Sequence, residues 1–307
     1  MCNDTNMLGF SKRLRIFSRL SGRLLTFAKQ LILYIDSHSL RYFAGLFAVV
    51  VALIALMLPS AYVVEEPGPT QDVLGVSGNS KLPVIQILSN HAKHKDSGKL
   101  LMLTVNTSGV PGYEVSTFYA LISWLNPQKE IIPREAIVPV GQNADDYDKE
   151  SEHEMDNSQD VAQNVALQYA SKHLGINTKG VKLRLHIEDV GGPSAGMMYT
   201  LGILDKLTPE SETGGKTIAG TGTIEKSKKI GAIGGIRLKM IAAKRDGATW
   251  FLAPKDNCDE VVGHVPQGLR VVRVSTIDEA YKALKSIGSG RGADKLPSCS
   301  AKDVNTK

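Results

Sequence analysis

The chain has 307 residues, 42% hydrophobic and 22% charged, which is enough to bury a sizeable core and excludes a wholly disordered protein. Three cysteines, Cys2, Cys258 and Cys299, are too few for a disulfide-dense fold or a tetrahedral zinc site. The net charge of +5 is small and its excess lies near the N-terminus, so the composition does not indicate a nucleic-acid-binding protein.

A basic segment precedes a long uncharged one. Residues 1–42 hold seven basic and two acidic side chains, whereas residues 43–64 hold no charge and include the run FAGLFAVVVALIALML. About 20 helical residues cross the ~30 Å hydrocarbon core of a bilayer, so this pattern predicts one transmembrane helix over residues 43–64. The positive-inside rule then places residues 1–42 in the cytoplasm and the rest of the chain outside the plasma membrane.

A cleavable signal peptide is the alternative interpretation of this segment, because Pro59, Ser60 and Ala61 are small or helix-breaking. A basic lead of 42 residues is long for a signal sequence, which favours an anchor that stays in the membrane.

Residues 65–140 are predicted to form a small strand-rich extracytoplasmic region. Short strands are expected at residues 83–88, 99–105 and 135–140, which are separated by Gly, Pro and Asn. Residues 141–157 carry seven acids and one lysine, which predicts a solvated acidic linker. The calcium-loop pattern D-x-[DN]-x-[DN]-G is absent from it, so no metal is predicted.

A serine stands at a turn between a predicted strand and a predicted helix. The strand is VKLRLHI (181–187), and the helix is AGMMYTLGILDKL. Between them, Ser194 would lie at a helix N-terminus, where unpaired N–H groups and the helix dipole stabilise an oxyanion. Gly192, Pro193 and Ala195 are small enough to let a peptide backbone approach. A serine that only caps the helix is the alternative.

A lysine lies on the apolar face of a second predicted helix, residues 234–247. The positions three and four residues from Lys239 are glycine, isoleucine or alanine, whereas Arg237 and Lys244 lie on another stripe. Burial lowers the pKa of a lysine and yields the neutral amine that a nucleophilic serine needs as its base. A lysine that extends over apolar surface to reach solvent is the alternative.

These residues resemble the proteolytic domain of Lon-type proteases, which act through a Ser-Lys dyad. The resemblance spans roughly residues 180–285 and rests on GGPSAG, on TGTIEKSKKIGAIGGIRLKMIAA, on FLAPKDN and on DEAYKAL. With the uncharged span and YVVEEPGPTQDVLG, the chain is most similar to the membrane-anchored PDZ and Lon-domain proteases of Gram-positive bacteria.

The resemblance implies an α/β or α+β proteolytic domain over residues 158–286. In it, Ser194 is the nucleophile, Lys239 the base and Thr221 the residue that orients the lysine, and ring-shaped homo-hexamers are typical of the family. Two features depart from the pattern. Gly191 stands where ATP-dependent relatives have an acid, and only a few residues separate the helix that precedes Gly175 from Val181, so the PDZ module is missing.

Other motifs are weaker. TGGKT (213–217) imitates a phosphate-binding loop, but Glu210 stands at the position of its first glycine, which predicts cleavage without ATP. His186 is an alternative base, although it alternates onto the polar face of its strand. Whether Cys258 and Cys299 pair stays open, because residues 287–307 are predicted to be disordered.

Together these features predict a single-pass, outward-facing serine endopeptidase that needs no cofactor and acts on protein or peptide substrates. A catalytically silent Lon-like scaffold that binds exported peptides is the alternative. The intact pair of Ser194 and Lys239 favours the enzyme.

Overall fold

The computed structural model describes residues 29–30, 33–34, 36–78, 80–88, 96–187 and 190–304. They divide into two units, one ending at Leu58 and the other starting at Pro59. In the first unit, helix α1 (Leu40–Met57) has a mean hydropathy of 2.3 and no buried residue, so it is long and apolar enough to cross a membrane. Most of the predicted basic segment lies outside the described residues.

The boundaries of the predicted span need correction at the C-terminal end. The helix ends at Met57, because Pro59 has no N–H to continue the helical hydrogen bonds. Tyr62 already begins a strand, so residues 58–64 are not part of the helix.

The second unit is a mixed α/β fold around a six-stranded sheet. Its described strands are β1 (Tyr62–Asp72), β2 (Ile85–Ile87), β3 (Lys99–Ser108), β4 (Glu130–Pro133), β5 (Leu183–Leu185), β6 (Thr217–Gly220), β7 (Thr223–Ile224), β8 (Ile230–Gly231), β9 (Trp250–Pro254) and β10 (Arg270–Val274). The order in the main sheet is β10-β9-β6-β3-β1-β4. The first four strands of this order pair in parallel, whereas β1 is antiparallel to both of its neighbours.

Helices cover both faces of this sheet. They are α2 (Thr117–Trp124), α3 (Ala144–His173), α4 (Gly196–Leu207), α5 (Ile236–Arg245), α6 (Cys258–Val261), α7 (Ile277–Ser289) and α8 (Ala301–Val304). Alternate residues of a strand point to opposite faces, and Leu100 and Met102 of β3 pack with α3, α4 and α7. Leu101 and Leu103 pack with α5 instead. Helices α4 and α5 therefore lie on opposite faces of one sheet.

The region predicted over residues 65–140 is not separate from the domain predicted over residues 158–286. Lys99 to Met102 of β3 pair with Thr217 to Gly220 of β6, so strands from both predicted regions share one sheet. The predicted strands at 83–88 and 99–105 are confirmed as β2 and β3, but the one at 135–140 is wrong. Residues Arg134–Ala136 form a 3-10 turn there, and Pro139 cannot donate to a strand ladder.

The predicted acidic linker is also wrong, because most of it belongs to helix α3. The side chain of Asn143 caps this helix by accepting from the N–H of Asp146, and acids in the first turn suit the positive end of the helix dipole. Buried residues begin only at Met155, so the first turns face solvent and show no apolar period. The helix ends at His173, and Gly175, at a φ of +69°, follows it as the sequence indicates.

The predicted disordered tail is ordered through residue 304. Helix α7 continues to Ser289, and Cys299 forms a disulfide with Cys258, at a Cα–Cα distance of 5.1 Å. The N–H of Arg273 in β10 donates to the carbonyl of Pro297 over 2.9 Å. These links hold a segment that lacks an apolar period of its own.

Candidate active site

The turn that carries Ser194 is fastened to the carboxyl end of β6. Gly192, at a φ of +80°, lets the chain turn before helix α4 begins at Gly196. The carbonyl of Ser194 accepts from the N–H of Gly222 over 2.9 Å and from Thr221 Oγ1 over 3.1 Å. Because these partners directly follow β6, the sheet fixes the position of the serine.

Helix α3 supports the same turn from the other side. The N–H of Gly192 donates to the carbonyl of Ser151 over 3.1 Å, and Ser158 Oγ donates to the carbonyl of Pro193 over 3.1 Å. A Cβ atom at Gly191 would lie 1.9 Å from Ser151 Oγ, so a side chain at position 191 would displace the hydroxyl of Ser151. The helix that replaces the predicted linker therefore positions the turn that carries Ser194.

Lys239 reaches the serine from helix α5. Its Nζ donates to Ser194 Oγ over 3.0 Å and to Thr221 Oγ1 over 3.5 Å. The side chain is only 3% exposed, among the fully buried residues Ile236, Ala242 and Ala243. Burial lowers the pKa of Lys239 to about 8, and the charge of Glu65 partly offsets the fall. The predicted burial of this lysine is confirmed.

A cavity of about 490 Å³ opens onto Ser194 and Lys239. One wall is the stretch from Met102 to Thr107, which comes mainly from β3, and another is α3, with Tyr147, Glu150 and Glu154. A volume of this size is typical of ligand-binding clefts in proteins.

Comparison with known proteins identifies the fold that carries this site. Residues 152–286 match the family described as the Lon protease (S16) C-terminal proteolytic domain. A Lon protease of Azospirillum brasilense is 37% identical over 94 residues, which are 30% of this chain and 11% of the relative. Lon protease 2 of Herpetosiphon aurantiacus is 34% identical over 128 residues, 38% of this chain and 16% of the relative. A mitochondrial Lon protease homolog of Candida glabrata is 30% identical over 141 residues, 43% of this chain and 14% of the relative.

Residues 152–286 are similar to the Lon-type proteolytic domain. The chain spans less than a fifth of the length of these relatives, so the similarity concerns their proteolytic part. The Lon-type match begins inside α3, at Glu152, whereas the folded unit that contains it begins at Pro59. Strands β1 and β3 thus complete the sheet of the Lon-type domain from outside the matched residues.

Backbone N–H groups near Ser194 suit the oxyanion of an acyl-transfer reaction. In the described part of the chain, the N–H groups of Ser194 and Ala195 have no hydrogen-bond acceptor. Of the other two small residues in the turn, Gly192 donates to Ser151 and Pro193 has no N–H. Ala195, which stands next to Ser194 and lines the cavity, is thus the best-placed donor.

Sequence reasoning missed one ionisable residue of this Lon-type site, Glu65 on β1. Its side chain is 7% exposed, and its Oε2 has no hydrogen-bond partner among the described residues. This oxygen lies 3.3 Å from the position that a Cβ atom would take at Gly235, the N-cap of helix α5 that carries Lys239. Because neighbouring strand residues point to opposite faces, one member of the Glu65–Glu66 pair had to face the protein, and that signal was available in the sequence.

The alternative site residues do not join the dyad. His186 Nε2 contacts Ser80 Oγ over 3.0 Å, and His186 does not line the cavity. In TGGKT, Lys216 Nζ donates to the carbonyls of Ile287 and Gly288 at the end of α7, so this motif secures a helix. Within the described residues, no group of three His, Cys, Asp or Glu side chains is arranged to hold a metal ion.

Proposed function

We propose that this chain is a membrane-anchored, ATP-independent serine endopeptidase that hydrolyses peptide bonds of extracytoplasmic proteins. Ser194 is the nucleophile and Lys239 is the general base. We place it with the membrane-anchored PDZ and Lon-domain proteases, as a member that lacks the PDZ module. The observation that carries the proposal is the 3.0 Å contact between Lys239 Nζ and Ser194 Oγ, made by a lysine that is 3% exposed.

The chemistry follows from this contact. A neutral Lys239 amine accepts the hydroxyl proton of Ser194 while Oγ attacks the peptide carbonyl. The resulting oxyanion faces the N–H groups of Ser194 and Ala195 at the start of α4, where the helix dipole also favours negative charge. The Lys239 ammonium then gives its proton to the leaving amine, and water hydrolyses the acyl-serine ester with Lys239 again as base.

Three observations support an outward-facing anchor. Helix α1 is apolar and long enough to span a bilayer, and basic residues precede it while Glu65 and Glu66 follow it. The disulfide between Cys258 and Cys299 suits an oxidising compartment rather than the cytoplasm.

The ATP-independent part of the proposal rests on TGGKT. Lys216, the basic residue of that motif, is bound by two backbone carbonyls and is not free to hold a phosphate. Cleavage without an unfolding motor suits flexible or unfolded segments, which fit an open cavity.

The activity test uses the full chain in detergent micelles with unfolded casein as substrate. We expect peptide products from the wild type and from Ser171→Ala, an exposed serine of α3, but none from Ser194→Ala. Added Mg-ATP should leave the rate unchanged. Equal product from the wild type and Ser194→Ala would favour the silent scaffold over the enzyme.

The topology test uses external protease on intact protoplasts. We expect the proteolytic domain to be removed before lysis. A domain that survives until the cells are lysed would contradict the outward orientation.

A further inference from the structure

Helix α2 presents its apolar side chains to solvent and its small side chains to the protein. Ala120 and Ser123 are buried. The exposed apolar residues are Phe118 at 53%, Leu121 at 48%, Ile122 at 46%, Trp124 at 76% and, directly after the helix, Leu125 at 81%. A surface helix of a soluble domain normally has the opposite arrangement, so this face is built to contact something apolar.

The exposed face continues onto the adjoining sheet. Tyr62 of β1 is 49% exposed, and a cavity of about 340 Å³ between this strand and α2 is lined largely by apolar side chains, including Leu121, Trp124 and Ile131. Residues 115–128 contain no charged side chain. Contiguous apolar patches of this kind mark protein or membrane contacts.

The path of the chain indicates what contacts this apolar face. Only Leu58 separates Met57, the last residue of α1, from Pro59. Pro59 pairs with Ser116, the N-cap of α2, and the N–H of Ser60 donates to the carbonyl of Val115 over 2.8 Å. The helix therefore begins one strand spacing, about 5 Å, from the residue where the chain enters the folded unit, and its eight residues extend about 12 Å from there.

We propose that α2 and Leu125 lie in the interface of the same lipid bilayer that α1 crosses, as a second membrane contact. This inference rests on the membrane anchor of the proposed function. An anchor in α1 places Pro59 at the bilayer surface, and the exposed face of α2 then lies within reach of the lipid. Its one tryptophan and its aliphatic residues suit the boundary between headgroups and acyl chains. With α1 across the bilayer and α2 in its interface, the domain has two membrane contacts, which restrict its rotation relative to the membrane surface.

The chain has two tryptophans, Trp124 on this face and Trp250 in the core at 7% exposed, which gives a direct test. The full chain is reconstituted into phosphatidylcholine vesicles with and without bromine on the acyl chains, which quenches nearby tryptophans. In Trp250→Phe, where only Trp124 emits, we expect a blue-shifted emission and the loss of most of it in brominated vesicles. In Trp124→Phe, the matched control, the emission of Trp250 should be the same in both.

A second variant and a flotation assay complete the test. Leu121→Asp with Leu125→Asp, in the Trp250→Phe background, should return the Trp124 emission to longer wavelength and make it insensitive to bromine. If bromine does not quench the Trp124 emission of vesicle-bound chain, the proposal is overturned. The same holds if the emission is blue-shifted but unquenched and the shift grows with protein concentration, because a second copy of the chain then covers the face. Loss of the chain from floating vesicles after an alkaline wash contradicts the anchor itself and the inference with it.

Discussion

At the scale of single residues, the proposed mechanism makes the protonation of Lys239 decisive for reactivity. Its amine must be neutral to accept the proton of Ser194, and burial lowers its pKa to about 8. As pH falls through this value the amine becomes an ammonium ion and cannot act as a base. The fraction of competent enzyme therefore rises with pH.

We predict that kcat/KM rises along a single basic limb with its midpoint near pH 8. Lys239→Arg should be inactive from pH 6 to 10, because the pKa of a guanidinium is above about 12. Lys244→Arg, an exposed position on the same helix, should keep the wild-type profile. A limb near pH 6.5, the ordinary histidine value, that disappears in His186→Ala would assign the base to the histidine.

Glu65 affects the midpoint of this pH profile through its charge near Lys239. Its charge raises the pKa of Lys239, against the larger effect of burial. The other groups that face Glu65 are Glu130, paired with it across β1 and β4, and Tyr147 on α3. Arg237 lies 3.6 Å from Glu130 and so balances that charge, whereas Glu65 Oε2 has no hydrogen-bond partner among the described residues.

We predict that Glu65→Gln moves the midpoint of the kcat/KM profile to lower pH, because the ammonium form of Lys239 loses its nearest stabilising charge. The amide keeps the shape of the carboxyl, so a purely structural role would leave the midpoint in place. Glu66→Gln, whose carboxylate pairs with Lys129 instead, is the control. A midpoint that stays unchanged or rises in Glu65→Gln contradicts this role.

At the scale of elements, helix α3 holds the turn that carries Ser194. The hydroxyl of Ser158 donates to the carbonyl of Pro193, one residue before Ser194, and this carbonyl also accepts from the N–H of Gly196 over 3.3 Å. Removing it leaves this carbonyl without that donor and lets the turn move. We expect the loss of this hydroxyl to slow the chemical step rather than to weaken substrate binding, because Ser158 does not line the cavity.

We predict that Ser158→Ala lowers kcat about fivefold, which corresponds to the loss of about 1 kcal/mol of one buried hydrogen bond. KM should change little. Steady-state kinetics of Ser158→Ala beside Ser171→Ala, which removes an exposed hydroxyl of the same helix, separates the two parameters. An unchanged kcat would show that α3 does not position the turn through this bond.

The elements differ in how far the sequence predicts them. Helices α4 and α5 have an apolar period and small residues or glycine at their ends, so both could be predicted from the sequence. The pairing of Ser194 with Lys239 followed from the resemblance to Lon-type proteases, because each residue taken alone also fits a helix cap or a surface lysine. The first turns of helix α3 could not be predicted, because they are rich in exposed acids, show no apolar period and are held by the cap of Asn143. Strand β3 could be predicted, but its partner β6 lies more than 100 residues away, and a short apolar run does not identify its partner.

At the scale of the whole molecule, a disulfide closes the last part of the chain onto the domain. Cys258 begins α6 and Cys299 lies 41 residues later, beyond β10 and α7. Cys258 is buried, and Cys299 packs against the cluster that contains Phe251 and Met240 on the face of α5. The bond thus ties the C-terminal segment to the side of the sheet that supports Lys239.

We predict that replacing both Cys258 and Cys299 by serine lowers the free energy of unfolding by about 2–4 kcal/mol, because a cross-link over 41 residues restricts the unfolded chain. Urea denaturation in detergent, followed by circular dichroism, measures the loss, and reduced wild type should match the double variant. Cys2→Ser is the control and should unfold like the wild type. In denaturant, alkylation of chain taken from membranes should modify one of the three cysteines before reduction and all three after it. Three modified cysteines before reduction would contradict both the bond and the oxidising location that it supports.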